Sequence, residues 1–169
     1  MANYIHASQI YLKKRMSQSL NIQLIEINAS SWLEQAESLM LEHWEEVAKS
    51  TGVPKPSMDA DYLESMEKAG MLFTIGAFVG DELVGYSMNT IGATLNFDKL
   101  IIMENQGIFI KKQYRGMLSG KKLKEESDRI GKARGATRAK WHSYMNTRAA
   151  ALFESLGGKP YDIIFTWEL

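Results

Sequence analysis

Between Met71 and Lys111 the chain reads as three strands in close succession, with helix-patterned segments on either side. Few architectures accommodate that order. Met71 to Val79 is a run of apolar and small residues, Gly80-Asp81-Glu82 is a turn, and Leu83 to Ile91 resumes the run, which is a hairpin signal. Leu100 to Lys111 contains a further strand. Upstream, Asn21 to Asn28 alternates as a strand through Ile22, Leu24 and either Ile25 or Ile27. Ser31-Trp32-Leu33-Glu34 has a capping-box pattern. Trp32, Ala36, Leu39, Met40, His43 and Val47 then recur at helical spacing until Gly52-Val53-Pro54-Lys55-Pro56 breaks the helix. Asp59 to Lys68 is a second short helix. Downstream, Gly116 to Arg134 is a polar helix closed by Gly135, and Thr137 to His142 is a strand. Asn146 to Leu156 is a helix with Ala149, Leu152, Phe153 and Leu156 on one face, and Tyr161 to Trp167 is a closing strand. The order β-α-α-β-β-β-α-β-α-β predicts a mixed sheet with helices on its faces, an α/β or α+β layout.

At 169 residues the chain fits one domain with a single core. Residues 1–20 are read as an N-terminal arm or helix and 21–169 as the domain. Lys+Arg and Asp+Glu are 20 each, and the neutral balance, with one basic cluster near 111–124, argues against a nucleic-acid partner. The absence of cysteine removes disulfides, thiolate nucleophiles and Cys-based zinc sites. No signal-peptide pattern and no apolar run long enough for a membrane span are present, so a cytoplasmic location without membrane contact is expected.

The chemistry concentrates where a strand, Ile108-Phe109-Ile110, runs through Lys111 to Arg115-Gly116-Met117-Leu118-Ser119-Gly120-Lys121 and into a helix. Unpaired N–H groups at a helix N-terminus form an anion site, strengthened by the helix dipole. Glycines at 116 and 120 allow close approach, and Arg115, Lys121 and Lys122 add positive charge. A pyrophosphate cradle and an ordinary strand–helix turn both fit this pattern.

The segment resembles the acetyl-CoA loop of the GNAT family, Gln/Arg-x-x-Gly-x-Gly/Ala. Arg115 and Gly120 match its first and last positions, and Leu118 stands where the middle glycine usually lies. The hairpin Ala77 to Tyr86 resembles the family's second and third strands. Asn146 to Gly157 resembles its late helix, with Asn146 and the aromatic Phe153 in familiar places. The loop is also similar to GNAT sequences of bacteriophage genomes. The resemblance covers about residues 21–169. It implies the acyl-CoA N-acyltransferase fold, a mostly antiparallel sheet with splayed fourth and fifth strands and helices on both faces. It further implies acetyl-CoA in the cleft, bound by Ile108, Phe109, Ile110, Arg115, Gly116, Met117, Leu118, Ser119, Gly120, Lys121, Asn146 and Phe153. The acceptor amine would attack directly, without a covalent enzyme intermediate, and no metal is implied. A homodimer is compatible with the family.

Attack needs a neutral amine and therefore a base or water chain. Glu104, just upstream of the cofactor segment, is the candidate. In a regular strand it shares a face with Gln106, Ile108 and Ile110, but a bulge at Gly107 would break that parity. A solvated strand-end glutamate is the alternative. The family's frequent Tyr acid falls at Phe153, which reads as core, so Tyr144 or Ser143 are substitute donors. His43 and Glu46 share a face of the first long helix and are candidates for binding a cationic amine. The same helix with His43 at its surface edge is the competing reading, and His142 reads as a strand-end polar residue. The leading expectation is an N-acetyltransferase moving acetyl from acetyl-CoA to a primary amine. The alternative is a non-catalytic acyl-CoA-binding or protein-interaction module on the same fold.

Overall fold

A computed structural model describes residues 22–95, 97–116, 119–145 and 147–162. The N-terminal arm and most of the expected closing strand lie outside the described residues. The elements are β1 (Gln23–Ile27), α1 (Ala29–Val47), α2 (Ala60–Lys68), β2 (Leu72–Val79), β3 (Glu82–Thr94), β4 (Phe97–Ile110), α3 (Ser119–Ala133), β5 (Arg138–Trp141) and α4 (Arg148–Ser155). The five strands form one sheet in the order β1-β2-β3-β4-β5. Neighbours are antiparallel except β4 and β5, which run parallel.

The helices divide between two faces, each with its own core. Along α1, Trp32, Ala36, Leu39 and Met40 form the buried stripe that its helical spacing predicts. They pack with Leu63 of α2 against Leu72, Tyr86, Met88 and Phe109 of the sheet. On the opposite face, Leu123 and Ile130 of α3 pack on Phe73, Ile75, Met103 and Ile110. Each buried leucine, isoleucine, phenylalanine or methionine among these contributes about 1.5–3 kcal/mol relative to exposure. Gly131 lets α3 approach β4 closely, because a Cβ there would lie 2.6 Å from the Met103 sulfur.

Local signals explain most boundaries. α1 begins earlier than the Ser31–Glu34 pattern predicts. Asn28 is the N-cap, and its side-chain oxygen accepts from the Ser31 N–H at 3.0 Å. Asp59 caps α2 and Thr147 caps α4 in the same manner. Gly80 takes φ 60° in the β2–β3 turn, and Gly135 takes φ 95° after α3, both in the region that favours glycine. β3 and β4 run further into their hairpin than expected, to Thr94 and from Phe97. Pairing with Ile102 across the hairpin holds Gly92 in strand geometry despite the weak strand preference of glycine.

Candidate active site

The site is built where β5 leaves β4. Their parallel pairing runs from Ile102–Arg138 to Asn105–Trp141 and goes no further. The last four residues of β4, Gly107 to Ile110, remain paired with β3 and not with β5, so the backbone groups they turn away from β3 have no β5 partner. The register against β3 also breaks here. Asn89 faces Asn105 and Met88 faces Gly107, which leaves Gln106 as an extra residue. This bulge changes the parity of the strand. Met103 and Asn105 lie on the α3 face, as do Ile108 and Ile110 after the bulge, whereas Phe109 packs on the α1 face. Glu104 therefore shares the α1 face with Gly107 and Phe109, not with Ile108 and Ile110.

Buried polar side chains fix the bulge. The Asn105 amide nitrogen lies 3.1 Å from Met88 O and 3.2 Å from Gly107 O, so it donates to strand carbonyls on both sides of the break. It also reaches Asn89 Oδ1 at 3.0 Å and Ser87 Oγ at 3.1 Å, and Ser127 of α3 donates to Ser87 at 2.9 Å. The Asn105 side-chain oxygen is buried with no hydrogen-bond partner among the described residues. Sequence reading passed over this cluster. Its trace was two asparagines, 89 and 105, in otherwise apolar strand interiors, where burial demands hydrogen-bonded partners.

The β4–α3 connection is fastened at both flanks. Glu82 in β3 accepts from Lys111 Nζ at 2.8 Å and Tyr114 Oη at 2.9 Å, and these bonds hold its carboxyl below the usual carboxylate range. Arg115 makes a bidentate pair with Glu46 of α1, both contacts 2.6 Å, and donates from Nε to Ile110 O at 2.6 Å. The guanidinium is thus committed to α1 and to the end of β4. Glu46 stands in the last turn of α1, where the helix dipole disfavours an anion, and the Arg115 hydrogen bonds lower its pKa. Ser119 staples the loop: its hydroxyl accepts from Gly116 N at 3.2 Å and lies 3.1 Å from Gly116 O. Gly120 abuts α4, since a Cβ there would sit 3.0 Å from Leu152, whereas Gly116 faces open space. Lys121 pairs with Glu125 at 3.6 Å within α3, and Lys112 and Lys122 are exposed. Met117, Leu118 and Asn146 lie outside the described residues.

His43 continues the buried stripe of α1 and faces the sheet. Its ring stacks on Phe109 with centroids 4.8 Å apart, and its Nδ1 lies 2.5 Å from the Tyr86 hydroxyl. Arg115 covers the same Phe109 ring at 5.1 Å. Burial lowers the His43 pKa from 6.5 to about 4, opposed by Glu46 and reinforced by Arg115, and burial pushes the Tyr86 phenol up. The phenol therefore donates to a neutral imidazole, which leaves Nε2 carrying the proton. The structure brings His43 and Glu46 together with Phe109 and Arg115, so the expected cofactor and acceptor residues meet in one cluster.

Glu104 and His142 meet across the mouth of the wedge. His142 follows directly on β5, and its Nε2 lies 2.8 Å from Glu104 Oε1, with 41% and 37% of the two side chains exposed. The sequence offered no reason to join residues from two strands, so His142 read as a strand-end polar group. Tyr144 is exposed in the loop after it, and Ser143 bonds Thr147 at the start of α4. Phe153 is buried against Trp141 with centroids 5.3 Å apart, as its place in the apolar stripe predicts. Among the described residues no group of His, Asp and Glu is arranged to hold a metal ion, and no helix is long and apolar enough to cross a membrane.

The model of the acetyltransferase (GNAT) family matches residues 36–158. Among solved structures, the chain is similar to an aminoglycoside acetyltransferase, HMB0005, from an uncultured soil metagenomic sample. The TM-score is 0.71 at 16% identity, covering 88% of this chain and 98% of that one. It is also similar to the aminoglycoside N-acetyltransferase AAC(6')-Iy in complex with CoA, with TM-score 0.64, 17% identity and coverage of 88% and 94%. A putative acetyl transferase from Pyrococcus furiosus gives TM-score 0.62 at 19% identity, covering 87% and 100%. No curated protein matches the chain in sequence.

Proposed function

Because the chain belongs to the GNAT acetyltransferase family, we propose that it transfers an acetyl group from acetyl-CoA to a primary amine by direct attack. The observation that carries this reading is the wedge: β4 backbone from Gly107 to Ile110 with no β5 partner, bordered by an exposed Glu104–His142 pair and leading into the N-terminus of α3. Free strand-edge groups suit the amides of a pantetheine arm, which would add to β4 as a strand does. The α3 N-terminus and the exposed Lys112 and Lys122 suit the pyrophosphate. The committed guanidinium of Arg115 makes it a positioning residue that ties this loop to α1.

On this reading Glu104 accepts the proton of the acceptor ammonium, directly or through one water, and His142 holds the carboxylate in place. The neutral amine attacks the thioester carbonyl, a C–N bond forms, the C–S bond breaks to release the CoA thiolate, and the new amide nitrogen loses its remaining extra proton to solvent. A backbone N–H in the stretch of β4 without a β5 partner stabilises the developing oxyanion. Tyr144, exposed two residues after His142, or solvent returns a proton to sulfur. Aminoglycosides, named for two of the neighbours, are one class of amine to assay.

The test is release of CoA thiol from acetyl-CoA in the presence of a broad amine panel. The expected result is amine-dependent release well above the rate in buffer. Tight acetyl-CoA binding by calorimetry, with no amine-dependent release, would instead establish the non-catalytic acyl-CoA-binding alternative.

A further inference from the structure

Resting on the acetyltransferase reading, we infer that the acceptor is an apolar α-amino acid or a molecule presenting that end, and that Lys140 is the residue that selects it. A concavity of about 310 Å³ opens beside Glu104 on the α2 side of the sheet. Its apolar wall includes Met66, Met71, Ile91 and Ile102, and its charged groups among the described residues are Glu104 and Lys140. Those two are register partners on β4 and β5, so their side chains stand next to each other on one face, one strand spacing apart. Glu104 bonds His142, not Lys140, and the Lys140 ammonium has no carboxylate within ion-pair reach among the described residues.

A carboxylate and an ammonium without an ion-pair partner among the described residues, side by side at the edge of an apolar pocket, complement a ligand with the reverse pair. The acceptor's amine meets Glu104, the group proposed to take its proton. Its carboxylate meets Lys140, and a side chain of leucine, methionine or phenylalanine size enters among the methionines, whose flexible thioethers accommodate varied shapes. A polycation fits this pocket poorly. It would need several carboxylates, and Glu104 is the sole one lining the pocket among the described residues. Lys140 would repel a second ammonium. The volume is at the small end for ligand pockets and suits one side chain better than an oligosaccharide.

Two measurements test this on the full chain. In the first, calorimetry with CoA present compares phenylalanine, phenylalanine amide, phenylethylamine and spermidine. Phenylalanine is expected to bind about tenfold or more tighter than its amide, the worth of one charge-assisted contact. Lys140→Met should bring that ratio close to one, and Lys140→Arg should restore it. In the second, CoA thiol release is followed with the same compounds and with kanamycin, and kcat/KM should rank them in the same order. Preferred binding of spermidine or kanamycin, no detectable binding of phenylalanine, or a Lys140→Met protein that keeps the parental ratio would overturn the inference. Phenylalanine binding that depends on Lys140, without thiol release from any amine, would sustain the pocket assignment and sink the acetyltransferase reading.

Discussion

Replacing His43 and Tyr86 together by phenylalanine should remove an acid sensitivity from the folded protein while leaving its stability at neutral pH nearly unchanged. His43 is held neutral by burial, its pKa lowered from 6.5 to about 4. At about 1.4 kcal/mol per tenfold, that gap corresponds to roughly 3 kcal/mol between the two protonation states. A depressed histidine pKa means that the unfolded chain takes up the proton first as the solution is acidified. The contribution is therefore complete above about pH 6.5, has fallen by about 2 kcal/mol near pH 5, and levels off below about pH 4. His43→Phe alone keeps the stacking on Phe109 but leaves the buried Tyr86 hydroxyl without its acceptor, at a cost of about 1–3 kcal/mol at every pH. The double replacement removes both polar partners and should recover most of that loss. Urea denaturation at neutral pH and near pH 5 gives the comparison, with carboxylates common to both proteins cancelling in the difference. If parent and double variant lose equal stability on acidification, His43 is not buried in its neutral form and the account of this cluster is wrong.

Glu104→Gln keeps the shape of the proposed base and removes its charge. Turnover should fall by about 10²-fold or more with little change in acetyl-CoA affinity, and the deficit should shrink as pH rises and free amine becomes abundant. Parental rates at every pH would place the base elsewhere. Arg115→Glu sets a second carboxylate against Glu46 and detaches the cofactor loop from α1, so calorimetry should register about a tenfold or greater loss of acetyl-CoA affinity; equal affinity would contradict the loop assignment. Phe153→Ala should lower stability by about 3–5 kcal/mol through the cavity left beside Trp141, and an unchanged melting temperature would contradict its core placement.

What the sequence disclosed was what is local in the chain. The β2–β3 hairpin was legible because Gly80 punctuates two apolar runs, and α1 because Trp32, Ala36, Leu39 and Met40 keep helical spacing. The same stripe included His43, but spacing alone could not tell a ring stacked on Phe109 from one at a surface edge. The pairs that shape the site were illegible for a different reason. Arg115 meets Glu46 across 69 positions and Glu104 meets His142 across 38, and neither residue of a pair carries a mark of the other. The expected bulge near Gly107 was foreseeable from the glycine. That the surplus residue is Gln106, and that Glu104 consequently shares a face with Phe109, follows from register against β3, which only the assembled sheet defines.

That surplus residue separates two things the chain must specify. Taking Gln106 out would leave Asn105 opposite Asn89 and Gly107 opposite Met88, with every side chain of β4 still on the face it now occupies. The packing of both cores would survive the excision. The local kink and extra twist would not, and they lie at the place where β5 parts from β4. The opening between these strands is thus spelled by one letter that the hydrophobic pattern does not need. A shortened sequence could keep the architecture while closing the door, which makes the cleft an inserted hinge in an otherwise self-sufficient sheet.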